Sequence, residues 1–192
     1  MLVGIDFGNK LSGNTVIAYS LDSSQVHLLK SNKREDADEF IHDFLLRYLP
    51  EEVFIDAPLS LPGVYNGLAN CEDYFFRNAD KVTRGMSPMF LGGLTARAIR
   101  LKDMAAGISI NFYETFPGYL ARHWNLHHAG YKKSNRDIIK VMGLIIKKIR
   151  FDIEGIETWH DIDALLALIS HFRFRQGKAK KFGINEEGLI FV

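Results

Sequence analysis

The sequence is poor in cysteine and proline, has no long apolar run and carries almost no net charge. Its 192 residues include one cysteine, Cys71, and 5 prolines. A single cysteine excludes an internal disulfide and a zinc site made from several cysteines. Since no apolar run reaches the roughly 20 residues of a membrane-spanning helix, we do not expect the chain to enter a membrane.

The charge balance also limits the classes of function. The 24 Lys and Arg residues offset 23 Asp and Glu residues, so the formal net charge is +1. This balance argues against a protein that coats nucleic acid non-specifically, but it allows a local site that binds phosphate. The first residues, MLVGIDFG, contain no basic leader and no cleavage site, so we expect no signal peptide and a cytoplasmic protein.

The pattern of apolar residues predicts alternating strands and helices. Predicted strands cover residues 2–7, 15–21, 26–30, 53–57 and 108–114. Predicted helices cover residues 35–49, 70–79, 93–106, 134–150 and 158–175, and a short hairpin is predicted in the tail at 178–192. The first three strands are close enough in sequence for an antiparallel meander. The first helix supplies the crossover that places the fourth strand parallel to the first.

This order of elements matches an α/β, ribonuclease H-like fold, in which a mixed five-stranded sheet is flanked by helices. The length of 192 residues, of which 47% are hydrophobic, suits a single domain over residues 1–192. Residues 58–92 are polar, rich in glycine and irregular, and they form a loop-rich insertion in that domain. A connection this long inside a compact domain is usually functional.

The strongest indication of a functional site is a pair of carboxylates at the ends of two strands. Asp6 ends the first predicted strand and Asp56 ends the fourth, and open α/β sheets bind ligands at this edge. If the strands are neighbours, the carboxylates lie side by side and repel each other unless a cation or a proton lies between them. The alternative is that each Asp caps a turn, before Gly8 and before Pro58. The occurrence of both together favours a site.

The last predicted helix adds further polar groups. His160 and Asp163 are three residues apart, so they share one face of that helix, which continues through the small Ala167. A small residue allows the helix to lie close to the sheet, which brings His160 and Asp163 near the two strand ends. Asp161 has a different explanation, because Thr158 and Asp161 fit a capping box. We therefore expect a mainly structural role for Asp161.

Together these groups predict a centre for a divalent metal ion. Asp6, Asp56 and Asp163 supply carboxylate oxygens, which are the ligands that Mg²⁺ and Mn²⁺ prefer, and His160 is the fourth predicted catalytic group. Such centres hydrolyse phosphodiesters, with one ion activating water and the other stabilising the leaving oxygen. The sequence therefore predicts a metal-dependent nuclease or a related phosphodiester hydrolase.

Four motifs carry a resemblance to a known family. The segments GIDFG, VFIDAPLSLP, FYETFP and HDIDALLAL occur in the order seen in an uncharacterised family of predicted ribonuclease H-like nucleases, over residues 2 to about 175. The last helix is also similar to that of Holliday-junction resolvases, in which an acid or His lies three residues before the Asp of an Asp-Ala-Leu sequence. The resemblance implies that His160 and Asp163 bind metal and that the substrate is a nucleic acid, DNA or RNA.

The same resemblance extends to residues outside the predicted centre. Glu114, at the end of the fifth strand, matches a Glu of the family, and it is either a solvated strand end or a group that supports the metal ligands. Asp161 is a second residue that could support the metal ligands in this way. Arg77 and Arg84 in the insertion stand where the family carries arginines. Since a guanidinium can bind phosphate through two hydrogen bonds, both arginines are predicted to bind the substrate.

Two other classes of function stay open. A first strand that ends in Asp-x-Gly and leads into a hairpin also occurs in ATP-binding and phosphotransferase proteins of the actin and sugar-kinase superfamily. Those proteins usually need two copies of the core, whereas this chain supplies one. The remaining candidate is a non-catalytic module that binds nucleic acid. The basic pair Lys132 and Lys133 suits a contact with nucleic acid, but we interpret it more simply as a solvated face. The oligomeric state is not indicated.

Overall fold

A mixed sheet of eight strands forms the centre of the protein, for which a computed structural model describes residues 1–192. The strands are β1 (Leu2–Asp6), β2 (Val16–Ser20), β3 (Gln25–Lys30), β4 (Glu52–Asp56), β5 (Asn111–Glu114), β6 (Asp152–Ile153), β7 (Lys181–Ile184) and β8 (Gly188–Phe191). The helices are α1 (Ala37–Tyr48), α2 (Asn78–Thr83), α3 (Pro88–Leu91), α4 (Gly93–Ala106), α5 (Pro117–His123), α6 (Ile138–Ile146) and α7 (Trp159–Arg175). The strand order is β6-β3-β2-β1-β4-β5-β8-β7. None of the helices combines the length and the apolar composition that crossing a membrane requires.

The first five strands have the predicted ribonuclease H-like arrangement. β1, β2 and β3 pair as an antiparallel meander. The crossover through α1 then places β4 parallel to β1, and β5 pairs parallel with β4. The predicted fold class is therefore confirmed.

Helices cover both faces of this sheet, which explains the unbroken apolar run of β1. All five residues of β1 are buried, as expected for a strand that has no solvent face. On one face α7 packs against β1, β2 and β4. On the other face α1 and α4 enclose an apolar cluster that includes Ile5, Ile41 and Leu101.

The sheet is larger than predicted, because three short strands extend it. The tail folds as the predicted hairpin of β7 and β8, and β8 pairs with β5 at Ile190 and Glu114. β6 has only two residues and pairs with the opposite edge strand, β3. Strands this short have no alternation of their own, so contacts distant in sequence determine their places.

The predicted helix over residues 70–79 is wrong. Residues 71–77 are not helical, and α2 begins only at Asn78. The Asp73 carboxylate accepts hydrogen bonds from the backbone N–H groups of Phe75 and Phe76. Such a side-chain turn satisfies the backbone locally and competes with a helix.

Two other predicted elements are shorter than expected. β5 begins at Asn111, whereas the prediction begins at residue 108. The helix predicted over residues 134–150 consists of a 3₁₀ turn, Asn135–Asp137, followed by α6. The central part of each predicted element is nevertheless present, and the differences lie at the ends, where the apolar pattern is weakest.

His171 attaches α7 to the sheet as a buried neutral imidazole. Its Nδ1 accepts a hydrogen bond from the Val3 backbone N–H at 3.0 Å, and its Nε2 lies 3.1 Å from Glu52 Oε2. Its ring stacks on Phe54. Burial lowers the pKa of His171, although the Val3 carbonyl oxygen, 3.2 Å from Nδ1, and the Glu52 carboxylate act in the opposite direction.

We expect the protein to lose stability in acid through His171. Because the pKa of His171 is lower in the folded protein than in an unfolded chain, the unfolded chain binds a proton that the folded protein does not when the pH falls below about 6.5. The contribution of His171 to the free energy of unfolding should therefore decrease from about pH 7 to about pH 5, and His171→Gln should lose less stability over this range than the unmodified protein does. Chemical denaturation at each pH measures this difference. The exposed His128 provides the control, His128→Gln, and equal pH dependence in the two variants would contradict the prediction.

Candidate metal centre

The sheet brings Asp6 and Asp56 together at one edge. Each is the last residue of its strand, β1 or β4, and the two are direct partners in the parallel register. Asp6 is buried and Asp56 is half-buried. The predicted placement of the two carboxylates on neighbouring strand ends is therefore confirmed.

α7 adds a third carboxylate, that of Asp163. The helix lies so close to β1 that a Cβ atom added to Gly4 would be 2.0 Å from the backbone nitrogen of Leu168. Asp163 is only 1% exposed. One carboxylate oxygen from each of Asp6, Asp56 and Asp163 lies within 4.8 Å of the other two. We call these three residues the acidic triad.

His160 lies at the rim of the acidic triad and contacts Asp6. Its Nδ1 is 2.7 Å from Asp6 Oδ2, and its side chain is 43% exposed. The hydrogen bond to Asp6 raises the pKa of His160 despite the opposing effect of desolvation, and the charge of Asp163 contributes to the increase. This imidazole can therefore hold a proton beside the triad and exchange it with solvent or with a bound molecule.

Two residues that the sequence analysis did not select hold the Asp163 carboxylate. The Tyr131 hydroxyl donates to Oδ1, and Lys132 Nζ lies 2.5 Å from Oδ2. Lys132 is exposed, as the sequence analysis expects, but its ammonium also forms an ion pair that the analysis did not predict. No local signal separates Lys132 from its neighbour Lys133, because the contact joins positions about thirty residues apart.

The acidic triad is unfavourable in the absence of a positive charge. Burial raises the pKa of Asp56 well above its usual range, and the charges of Asp6 and Asp163 increase it further. Burial also raises the pKa of Asp163 to about 6, although Lys132 opposes this change. Carboxylates this close cannot all ionise unless a cation compensates their repulsion.

Asp161 forms the capping box that the sequence predicts. Thr158 Oγ1 accepts a hydrogen bond from the Asp161 backbone N–H, and the Asp161 carboxylate accepts one from the Thr158 backbone N–H. Lys30 Nζ lies 3.0 Å from the same carboxylate. Asp161 is fully buried but does not belong to the acidic triad. The first two turns of α7 thus carry one structural Asp and one that faces the other carboxylates.

Arg77 is buried inside the protein. Its guanidinium lies 2.6 Å from Asp80 and 2.6 Å from Glu114, and Nη1 donates to Ser60 Oγ. None of its side chain is exposed. Arg77 therefore joins the insertion to β5, and the predicted contact with a substrate does not fit this position.

Glu114 is part of the same buried network and is not a solvated strand end. Its carboxylate pairs with Arg77 and accepts a hydrogen bond from the Leu59 backbone N–H at 2.9 Å. Leu59 follows Asp56 by three residues, so this bond holds the chain that leaves the acidic triad. A supporting role for Glu114 at the metal ligands stays a prediction.

Arg84 is exposed and directly precedes a part of the insertion that shares a cavity with Asp56. It follows α2 with a left-handed backbone, φ 53°. The next two residues, Gly85 and Met86, line a small cavity of about 80 Å³ together with Asp56 and Glu114. This position leaves the guanidinium accessible, and its predicted contact with substrate phosphate stays a prediction.

A larger cavity lies elsewhere in the insertion. It measures about 680 Å³, opens between the insertion and β7, and has Cys71 and Lys81 in its lining. No residue of the acidic triad lines it. The Glu187 carboxylate in its wall already accepts hydrogen bonds from the backbone N–H groups of Gly63 and Asn78. We therefore locate the candidate centre by the carboxylate cluster, since cavity size alone indicates no chemistry.

These features define an α/β protein of ribonuclease H-like topology with three carboxylates at the end of its central strands. The chain is similar to the RuvC structure of Thermus thermophilus, with 15% sequence identity and a TM-score of 0.45, over 93% of this chain and 97% of that chain. No protein-family model and no curated protein matches the sequence. The fold assignment rests on the strand order, and membership of the uncharacterised nuclease family stays a prediction.

Proposed function

We propose that the protein is a metal-dependent nuclease, or a related phosphodiester hydrolase, that acts on nucleic acid with Mg²⁺ or Mn²⁺. The observation that carries this proposal is the acidic triad, whose carboxylate oxygens lie within 4.8 Å of one another. Two of these residues end parallel neighbouring strands, and the third comes from the helix packed on those strands.

The donor set fits a hard divalent cation. All three side chains offer carboxylate oxygens, which Mg²⁺ and Mn²⁺ bind readily. A positive charge already contacts the triad, since the Lys132 ammonium lies 2.5 Å from Asp163. One ammonium cannot neutralise three carboxylates, so the triad still favours a divalent cation.

Each residue has a distinct part in this proposal. Asp6, Asp56 and Asp163 hold the metal, and ions bound in such centres activate water and stabilise the leaving oxygen of a phosphodiester. His160 holds or moves a proton beside Asp6, because its half-exposed ring is hydrogen-bonded there. Arg84 binds a phosphate of the nucleic acid, since its guanidinium is exposed next to the loop that reaches Asp56.

Cleavage assays with defined nucleic acids test the proposal. Labelled duplex DNA, single-stranded RNA and a four-way DNA junction are incubated with the purified protein, with Mg²⁺, Mn²⁺ or a chelator. We expect cleavage of at least one substrate with metal and none with chelator. Cleavage that is indifferent to chelator would reject the metal mechanism. Binding of metal and nucleic acid without any cleavage would favour a non-catalytic module.

Metal binding should become tighter as the pH rises, with release of protons. Because the pKa of Asp163 is raised to about 6 and that of Asp56 is also raised, these groups carry protons at pH values where an ordinary Asp is ionised. A metal ion has to displace those protons. We therefore expect the affinity for Mn²⁺ to increase about tenfold or more from about pH 5.5 to about pH 7.5.

Isothermal titration calorimetry measures this effect, because repeating the titration in buffers of different ionisation enthalpy counts the protons released. Asp103→Asn, at an exposed position of α4, is the control and should keep the full pH dependence. Equal Mn²⁺ affinity at both pH values, with no proton release, would show that the triad does not bind the ion.

A further inference from the structure

One side-chain cation already contacts the acidic triad. Lys132 Nζ lies 2.5 Å from Asp163 Oδ2, while the Tyr131 hydroxyl donates to Oδ1 of the same carboxylate. Two consecutive residues therefore contact both oxygens of Asp163. A carboxylate oxygen can accept a hydrogen bond and still coordinate an ion, but an ion bound to Asp163 would lie close to the Lys132 ammonium, and the two positive charges would repel each other.

The backbone determines the placement of this lysine. Lys132 has φ 57°, a left-handed conformation that residues other than glycine seldom adopt. It follows Tyr131, whose side chain is buried and packs edge-on against Trp159 of α7. Lys133, the next residue, is exposed and forms no ion pair. The chain thus directs one lysine of the pair to Asp163 and leaves the other in solvent.

The Lys132 ammonium can also leave this position. Its side chain is 52% exposed, although the carboxylate it contacts is almost fully buried. A long, flexible lysine side chain can keep its aliphatic part in place while its charged end turns to water. Two cations at adjacent positions repel each other, and they do so more strongly where burial limits screening.

We propose that Lys132 is a displaceable cation of the metal centre. Its ammonium neutralises Asp163 when no metal ion is bound, and it moves into solvent when a divalent ion binds the acidic triad. Lys132 therefore weakens metal binding and sets the concentration of ion at which the centre fills. The inference rests on the proposed function only in treating the triad as a metal site, and it does not depend on the substrate.

A titration with Mn²⁺ alone tests the displacement. Lys132→Met should bind Mn²⁺ roughly tenfold more tightly than the unmodified protein, within the range of changes that groups contacting metal ligands produce. Lys133→Met is the matched control and should bind as the unmodified protein does. Lys132→Arg, which keeps the positive charge, should also show no gain in affinity. The titrations are performed at about pH 8, so that protons do not compete with the ion.

A second measurement uses the unmodified protein and does not depend on the folding of a variant. An amine-reactive reagent is applied with and without Mn²⁺, and mass spectrometry compares the modification of Lys132 with that of Lys133. We expect Mn²⁺ to increase the modification of Lys132 several-fold and to leave that of Lys133 unchanged.

The outcomes separate this inference from the proposed function. Equal or weaker Mn²⁺ affinity in Lys132→Met, or unchanged modification of Lys132 when Mn²⁺ binds, would overturn the inference and leave the metal centre intact. If the unmodified protein and all lysine variants bind no Mn²⁺, both the inference and the metal centre are rejected. Cleavage of nucleic acid is not measured in either experiment, so an inactive protein can still confirm the displacement.

Discussion

Asp163→Asn is expected to abolish metal-dependent cleavage, whereas Asp161→Asn, two residues earlier on the same helix, should keep most of it. The Asp163 carboxylate is one of three whose oxygens lie within 4.8 Å of one another. Asparagine keeps the shape of the side chain and the hydrogen bond from Tyr131, but it removes the charge that holds a cation. The Asp161 carboxylate is instead used by the backbone N–H of Thr158 and by Lys30.

The two variants should also differ in stability. Here the larger effect is expected for Asp161→Asn, the variant that keeps its activity. Asp161→Asn keeps an oxygen that can accept the Thr158 N–H bond, but it removes the charge that pairs with Lys30 and with the start of α7. This should decrease the free energy of unfolding by about 0.5–2 kcal/mol, the usual range for helix caps. Asp163→Asn should change it less, because the repulsion among the three carboxylates is relieved and the half-exposed Lys132 can turn to solvent.

Turnover rates and chemical denaturation of the two variants, compared side by side, check both expectations. Asp103→Asn changes an exposed carboxylate of α4 and should resemble the unmodified protein in both measurements. An active Asp163→Asn together with an inactive Asp161→Asn would mean that the catalytic face of α7 is the one that carries Asp161.

The positions of the triad residues could be predicted because simple backbone rules determine them. Asp6 and Asp56 each end an apolar strand, and a crossover helix between those strands predicts parallel neighbours, as observed in the register. The spacing of His160 and Asp163 places both on one helix face, and the structure brings His160 to Asp6 and Asp163 to both strand ends. These inferences need only the period of a helix and the pairing of strands.

The charged residues that pair across the fold could not be predicted in the same way. Arg77 lies in a polar loop, where an arginine is expected to be solvated, but Glu114 of β5 lies 2.6 Å from it inside the protein. Lys132 reaches Asp163 from a loop that the apolar pattern does not position. Each contact depends on how separate elements dock, and the sequence near either residue contains no signal for it.

Gly4→Ala is expected to destabilise the protein strongly, because the added methyl group meets the backbone of α7. An added Cβ atom would lie 2.0 Å from Leu168 N and 2.6 Å from the Ala164 carbonyl oxygen. Both are backbone atoms, so no side-chain rotation can relieve the overlap, and α7 has to move away from β1. We expect the free energy of unfolding to decrease by about 3 kcal/mol or more, the upper part of the range for overpacked cores.

The same substitution should weaken metal binding in the fraction of protein that stays folded. β1 carries Asp6, whereas α7 carries Asp163, so a helix that moves off the strand also separates the carboxylates of the acidic triad. Mn²⁺ affinity at a temperature well below the unfolding transition should therefore decrease about tenfold or more, comparable with the loss of a group that orients metal ligands.

Gly143→Ala provides the matched control, because Gly143 lies in α6 and no atom stands within 4 Å of an added Cβ. This control should raise the free energy of unfolding by about 0.5–1 kcal/mol, the difference in helix propensity between the two residues, and leave Mn²⁺ affinity unchanged. If Gly4→Ala unfolds like the unmodified protein and binds Mn²⁺ equally well, the close contact of α7 with β1 does not determine the geometry of the centre. A loss of stability with normal metal affinity would mean that the centre tolerates movement of the helix, and that Asp6 and Asp56 at the strand ends determine most of the affinity.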